Sequence, residues 1–504
     1  MTILNKSPRL VVAGLAGDSG KSVVSLAILN RLRQDGMDVR AFKKGPDYID
    51  SAWLSWVTGN PARNLDSWMM GFDLSRSSFE RHCLRNGFNL VEGNRGLFDG
   101  FDSAGSHSTA EMAKTLQAPI LLVVNVAKMT STAAALVLGC QHLDPDLQLA
   151  GVILNRVHGS RHETVVRAAI ESATGLPVVG AIPAMKEGIL PDRHLGLVTP
   201  SDHQSKEDLQ RRLDALAQYL DTTRIVSLAE RCTPLDVSTH HMAGHNAQHP
   251  CINGVRSRIA IVRDAAFNFY YPENLEALAA GGAELEYVSA LEASELPKEI
   301  DAIYIGGGFP EVHAAELEAN TTFLNSLAEA AQRGVPIYAE CGGLMLLSRS
   351  IRWQGKRYSM SGAIQVDVDV DAAPQGHGYV EMAVTEPNPF YLEGTVLRGH
   401  EFHYSRILPE EHMPATACAV QRGTGCYDKR DGIVVNRIWA SYTHLHTLAT
   451  PEWAAGLLRA ALRLRAEGTN SREMRKRSTN SRLSFKAKSA ARLSPDAVAV
   501  SPHA

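Results

Sequence analysis

The sequence predicts an α/β protein of two domains, the first a doubly wound parallel sheet, and three observations carry the prediction. Short apolar runs of strand type alternate with helical patterns, which is how a parallel sheet flanked by helices reads in sequence. The alternation runs from Arg9 to about residue 220, lapses, and starts again at Arg258. The chain is 504 residues long, and single hydrophobic cores stop growing near ~250–300 residues.

Composition narrows the class. Hydrophobic residues make up 44% of the chain and glycines number 40, as in a loop-rich globular protein. A formal net charge of −3 supplies no general attraction to nucleic acid or anionic lipid, so neither is expected as a partner. Seven scattered cysteines, an odd number, describe no disulfide framework. No uninterrupted apolar run is long enough to span a bilayer, and Met1 to Arg9 lacks the apolar core of a signal peptide. A cytoplasmic location is expected.

Residues 9–14 (Arg-Leu-Val-Val-Ala-Gly) predict the first strand and Val23 to Arg33 the first helix. Between them, Leu15-Ala16-Gly17-Asp18-Ser19-Gly20-Lys21-Ser22 is a glycine-bearing loop that ends Gly-Lys-Ser. Backbone N–H groups from Gly17 through Ser19 and Gly20 can face phosphates, Lys21 can neutralise them, and the Ser22 hydroxyl can ligate Mg²⁺. The loop is a variant, because a standard phosphate loop has glycine where Leu15 stands. A second strand, Asp38 to Lys43, leads into Lys44-Gly45-Pro46-Asp47-Tyr48-Ile49-Asp50, where Asp47 and Asp50 can hold Mg²⁺ or position a substrate at a strand's carboxyl edge. A third strand, Asn89 to Glu92, ends in a carboxylate of metal-binding type, and the following loop carries Arg95 and Asp99 as substrate or metal contacts. Ile120–Asn125 and Leu149–Asn155 predict further strands, with helices at Thr132–His142, His162–Thr174 and Lys206–Leu220. Asn155, at a strand end, has an amide suited to the edge of an adenine. The polar loop Leu190 to Leu197 has substrate-facing character.

Residues 231–256 read as a linker; His240, His241, His245 and His249 between Cys232 and Cys251 fit no standard zinc spacing. The second half resumes at Arg258–Val262, and Asp301–Ile305 is followed by Gly306-Gly307-Gly308-Phe309-Pro310-Glu311, a triplet that lets backbone approach a ligand. Gly334 to Tyr338 then predicts a buried strand, and Ala339-Glu340-Cys341-Gly342-Gly343-Leu344 turns it into a helix. A cysteine on such a turn has the mechanics of a nucleophile elbow, with the Gly342 and Gly308 N–H groups free to hold an oxyanion. A buried core cysteine is the ordinary fate of a lone Cys, but His444, far along the chain in Ala440 to His446, supplies the base of a Cys/His pair for acyl transfer. Residues 466–504, including Arg475-Lys476-Arg477, read as a solvated basic tail.

Taken together these motifs resemble the cobyrinic acid a,c-diamide synthase family, glutamine-dependent amidotransferases acting on tetrapyrrole carboxylates. The resemblance runs from about Arg9 to Thr447 and rests on seven pieces in the family's order. They are Gly45 to Asp50, Asn64-Leu65-Asp66, Arg193 to Leu197, Gly306 to Glu311, Ala339 to Gly343, Gly399 to Ser405 and Ala440 to His444. It implies an ATP-dependent, dethiobiotin-synthetase-like domain over 1–230 and a class I, triad-type glutaminase domain over 257–465. Cys341 corresponds to the nucleophile and His444 to its base. Related glutaminases carry a Glu two residues after that His, where this chain has His446, so the expectation is a Cys–His dyad. The implied reaction consumes ATP, Mg²⁺ and L-glutamine and forms an amide through an acyl phosphate. The resemblance assigns ATP to Gly17–Ser22, Mg²⁺ to Ser22, Asp47 and Glu92, and the acceptor site to Tyr48, Asp50 and Asp99. The expected acceptor is cobyrinate or hydrogenobyrinate, amidated on the a and c acetates, and a homodimer is compatible with the sequence. Ser51-Ala52-Trp53-Leu54, Asn94 and Arg95 depart from the cobyrinate-type pattern and keep sirohaem-type rings as the alternative acceptor. The reading of another class is a partition-type ATPase module carrying an inactive glutaminase-like scaffold.

Overall fold

The computed structural model describes residues 7–185, 192–193, 196–197, 199–200, 206–235 and 257–467. The first half is a seven-stranded sheet, ordered β3-β2-β4-β1-β5-β6-β7 and parallel throughout. Its strands are β1 (Arg9–Gly14), β2 (Val39–Lys44), β3 (Arg63–Leu65), β4 (Phe88–Glu92), β5 (Ile120–Asn125), β6 (Leu149–Val157) and β7 (Val178–Pro183). Helices cover both faces, so β1 carries Leu10, Val11, Val12 and Ala13 without exposure and reads as a continuous apolar run. A small ribbon, β8 (Asp192–Arg193) with β9 (Gly196–Leu197), and helices Lys206–Ala217 and Thr222–Ala229 complete this half. The expected substrate loop Leu190–Leu197 lies outside the described residues except for that ribbon. The linker histidines, Cys251 and the basic tail lie outside them as well. Cys232 is described, and it is buried against the first strand's entry with its thiol 3.8 Å from the Ser7 carbonyl.

The second half is a ten-stranded sheet. Its first part is parallel, ordered β11-β10-β12-β13-β22, from β10 (Arg258–Val262), β11 (Glu284–Val288), β12 (Ala302–Ile305), β13 (Ile337–Glu340) and β22 (Ile438–Ser441). The sheet continues in antiparallel fashion through β21 (Arg430–Val435), β20 (Thr416–Arg422), β17 (Gly376–Val384), β18 (Val396–His403) and the short β23 (His444–Leu445). Four smaller strands, β14 (Ser350–Trp353), β15 (Lys356–Ser359), β16 (Asp367–Val370) and β19 (Ser405–Ile407), form a separate sheet. Among the described residues, no helix is long and apolar enough to cross a membrane.

The two halves dock through specific pairs. Arg63 forks onto Glu276 at 2.7 and 2.8 Å and lies 3.4 Å from the buried Glu273. Tyr379 donates to Asp66 at 2.8 Å, and Tyr271 donates to the Pro46 carbonyl at 3.1 Å. Tyr48 closes the seam with its ring stacked on Phe269 at 5.1 Å and 2°.

Candidate functional site

The phosphate loop sits between β1 and the helix Lys21–Gln34, at the carboxyl edge of the sheet beside the point where the strand order reverses. Gly20 takes φ +94°, and a Cβ there would overlap the Asn155 amide. That amide donates to the Ser19 carbonyl at 2.9 Å, so Asn155 braces the loop from below. Ser19 is turned inward, its hydroxyl exchanging hydrogen bonds with Ala16 N–H and carbonyl at 3.1 and 3.0 Å. Lys21 is folded onto the carbonyls of Ala16 and Gly17, both at 3.1 Å, and burial together with Lys43 lowers its pKa. The ammonium thus lies inside the loop, at the amino end of the helix, where backbone N–H groups and the helix dipole favour a phosphate.

Below the cradle, Ser22 donates to Glu92 at 2.7 Å and to Asp50 at 3.2 Å. Lys43, which sequence reading passed over, sits between the two carboxylates, bonding Asp50 and, at 2.8 Å, Glu92. Burial opposes the lysine's charge, but Asp50 and Glu92 outweigh it and raise its pKa; Asp50 is in turn held below its usual range. Burial, opposed by Lys43 and reinforced by Asp50, pushes Glu92 up to about 7. The Glu92 Oε2 atom is buried with no hydrogen-bond partner. No group of three or more His, Cys, Asp or Glu among the described residues forms a metal cage. One serine, two carboxylates and an orphaned carboxylate oxygen beside a phosphate cradle nevertheless fit Mg²⁺, which is usually held by one or two carboxylates together with substrate phosphates.

Asp47 stands apart from that cluster. It caps the helix Tyr48–Thr58 by accepting from the Asp50 N–H at 2.9 Å, and burial with the nearby Asp50 pushes its carboxyl up to about 6. Gly45, at φ +89°, makes the turn before it, and Asn64 of β3 pins the turn by donating to the carbonyls of Gly45 and Asp47 at 2.7 and 3.0 Å. Asp99 accepts from Gly96 N–H at 2.8 Å in a loop laid against Gly14. Asp47, Tyr48, Arg95 and Asp99 all line one cavity.

Cys341 lines the same cavity from the other half, as does His444. Parallel pairing explains why. Glu340 ends β13 beside Ser441, which ends β22, so the residues just past both strands converge. Cys341 takes φ +49°, a strained conformation that aims a nucleophile out of a strand-to-helix turn. Burial, with Glu311 nearby, pushes its thiol well above the ordinary range, although the Gly342 N–H pulls the other way. Gly308 has φ +156° with no room for a Cβ against the Ala266 carbonyl, and a Cβ on Gly342 would lie 3.1 Å from the Gly308 nitrogen. The two N–H groups expected at the oxyanion are therefore neighbours.

His444 has its Nδ1 3.5 Å from Glu340 Oε2, with no hydrogen-bond partner among the described residues, and Glu340 is wholly buried. Tyr304 donates to that carboxylate at 3.3 Å and the Leu445 N–H at 3.4 Å. Sequence reading missed Glu340, because it looked for an acid at the position of His446. His446 instead lies 3.5 Å from Glu273, in the docking seam. His400 stacks on His444 at 5.1 Å, and burial, then His444 itself, hold His400 well below its usual pKa. Tyr48 of the first half reaches across the seam, its ring 5.2 Å from that of His444 and 4.5 Å from that of Tyr271. The shared cavity has a volume of about 420 Å³.

Comparison with known proteins agrees with this division. Residues 10–197 match the CobQ/CobB/MinD/ParA nucleotide binding domain, and residues 258–452 match the CobB/CobQ-like glutamine amidotransferase domain. The chain is 39% identical over 453 residues to the cobyrinate a,c-diamide synthase of Magnetococcus marinus, covering 90% of this chain and 97% of the relative. It is 41% identical over 451 residues to the enzyme of that name from Syntrophotalea carbinolica, covering 88% and 96%. It is 37% identical over 461 residues to that from Archaeoglobus fulgidus, covering 90% and 98%. With identity at this level along nearly the whole of each relative, the chain belongs to the cobyrinate a,c-diamide synthase family.

Proposed function

We propose that this protein is an ATP- and glutamine-dependent ligase that amidates the a and c acetates of cobyrinate. The observation that carries the reading is the shared cavity, which holds Cys341 and His444 on one side and Asp47 and Asp99 on the other. The names of the relatives favour cobyrinate over sirohaem-type rings.

In the glutaminase half, Cys341 rests as a thiol, because burial disfavours the thiolate. His444 takes the thiol proton as sulfur attacks the carboxamide carbon of glutamine. The N–H groups of Gly308 and Gly342 receive the developing oxyanion; removing one such donor costs ~10²–10³ in rate. His444 passes the proton to the leaving nitrogen, ammonia departs, and water hydrolyses the thioester to glutamate. Glu340 holds the imidazole with Nδ1–H turned towards it, leaving Nε2 for the thiol. This makes the unit a triad whose acid precedes the nucleophile in sequence. Glu311, buried in the cavity near Cys341, suits the α-ammonium of glutamine.

In the synthetase half, Gly17 to Ser22 bind the nucleotide phosphates, and Ser22, Asp50 and Glu92 would hold Mg²⁺. The nucleotide supplies a phosphoryl group that turns a poor acyl donor, the acceptor carboxylate, into an acyl phosphate. Asp47, Asp99 and Arg95 surround the acceptor arm. Ammonia attacks the acyl carbon and phosphate leaves. The Cys341–His444 pair and the acceptor arm face one cavity at the seam, so ammonia passes Tyr48 on its way from one to the other. Incubation with glutamine, MgATP and a panel of tetrapyrroles, followed by mass spectrometry of the pigments, tests the reading. Two added amides on cobyrinate are expected, and amidation of sirohaem alone would overturn the acceptor assignment.

A further inference from the structure

A second cavity, of about 710 Å³, opens beside the first and shares Phe101, His107 and Arg422 with it. It too lies across the seam. Trp68 comes from the helix Ser67–His82 of the first half, and Arg398 and Arg422 come from β18 and β20 of the second. None of the catalytic steps above uses these residues.

The chemistry of this outer cavity is aromatic and cationic. Trp68 stacks on Tyr379 at 4.4 Å and 16°, and Phe101 lies 5.8 Å from Trp68 with 37% of its surface exposed. The indole is fixed in place from both halves. Asp66 caps the helix by accepting from the Trp68 backbone N–H at 3.0 Å, and its other oxygen accepts at 2.8 Å from the hydroxyl of Tyr379, on whose ring the indole stacks. A ring already immobilised loses little freedom when a ligand stacks on it. Arg398 is neutralised by Glu381 at 2.7 Å. Both guanidinium groups lie over rings, Arg398 5.9 Å from Trp68 and Arg422 4.2 Å from Phe101, but Arg422 makes no ion pair among the described residues. A guanidinium poised on an aromatic face at a cavity rim is well placed for a planar π-ligand that carries a carboxylate.

We infer that this outer cavity is the docking site for the body of the acceptor, a planar polycarboxylate macrocycle: Trp68 and Phe101 form the aromatic wall it lies against, and Arg422 grips a carboxylate that does not react. The inference rests on the reading that the acceptor is a tetrapyrrole. It explains how one acetate arm can reach Asp47 and Asp99 while the bulk of so large a substrate stays outside the inner cavity.

The test is equilibrium binding of cobyrinate to the full chain without ATP or glutamine, followed by ultrafiltration and the visible absorbance of the pigment. Arg422→Gln and Trp68→Ala each raise Kd about tenfold, the scale of one charge-assisted contact or one stacked ring. Arg422→Lys and Trp68→Phe lose less. In turnover the loss falls on KM for the acceptor and not on KM for glutamine. Arg422 is exposed, so its variants keep the fold. If Arg422→Gln and Trp68→Ala bind cobyrinate as the unaltered protein does, the docking site is wrong while the acceptor stands. If the unaltered protein binds no tetrapyrrole, both readings fall.

Discussion

Glu340 is the residue whose role the geometry changes most. Cys341 and His444 were legible in the sequence as a candidate pair, because a cysteine on a Gly-Gly turn and a distant histidine suit acyl transfer, and both line the one cavity. The acid was not, since adjacency to Cys341 in sequence says nothing of His444; only the register of β13 against β22 brings Glu340 beside that ring. Glu340→Gln keeps the shape and removes the charge. We expect its glutaminase kcat to fall about 10²-fold or more with KM for glutamine little changed, because an orienting acid acts on tautomer and transition state and not on substrate binding. Equal losses in kcat and thermal stability would reduce Glu340 to a packing role. The thiol supplies a pH test. Its folded pKa is raised, so alkylation of Cys341 by iodoacetamide should climb steadily from pH 6 to pH 9. A plateau at neutral pH would mean a pre-formed thiolate–imidazolium pair.

At the scale of elements, the parallel strands were readable where both faces are buried. β1, β5 and β10 occupy the expected residues, because nothing polar interrupts them. The three-residue β3, Arg-Asn-Leu, carried no such signal, although its Asn64 pins the Gly45–Asp50 turn. The antiparallel strands from β17 to β21 were also invisible, since half-exposed edges and glycines break their alternation. The phosphate loop shows the same limit. Its residues were legible, but their division of labour was not: Ser19 and Asn155 brace backbone, and Asp50, rather than Asp47, stands by Ser22 and Glu92. Asn155→Ala should therefore raise KM for ATP and GTP by the same several-fold factor. A selective loss for ATP would restore Asn155 to reading the adenine edge.

The whole molecule depends on how the two halves meet. Sequence motifs indicate two chemistries, yet the pairs that join them, Arg63 with Glu273 and Glu276 and Tyr379 with Asp66, are single long-range contacts without a local signature. Arg63→Met leaves Glu273 buried in the seam with only His446 beside it, and removing one partner of a buried pair costs ~3–5 kcal/mol. Glutamate release should then outrun amide formation, as ammonia escapes through the loosened interface; a ratio that stays at one would remove Arg63 from the coupling. The central claim, that one cavity carries ammonia from a thiol to an activated carboxylate, is tested most directly by Cys341→Ala assayed with cobyrinate and MgATP, once with glutamine and once with ammonium chloride. The account predicts that amidation from glutamine disappears while amidation from ammonium remains. Loss of both, or survival of the glutamine reaction, would contradict it.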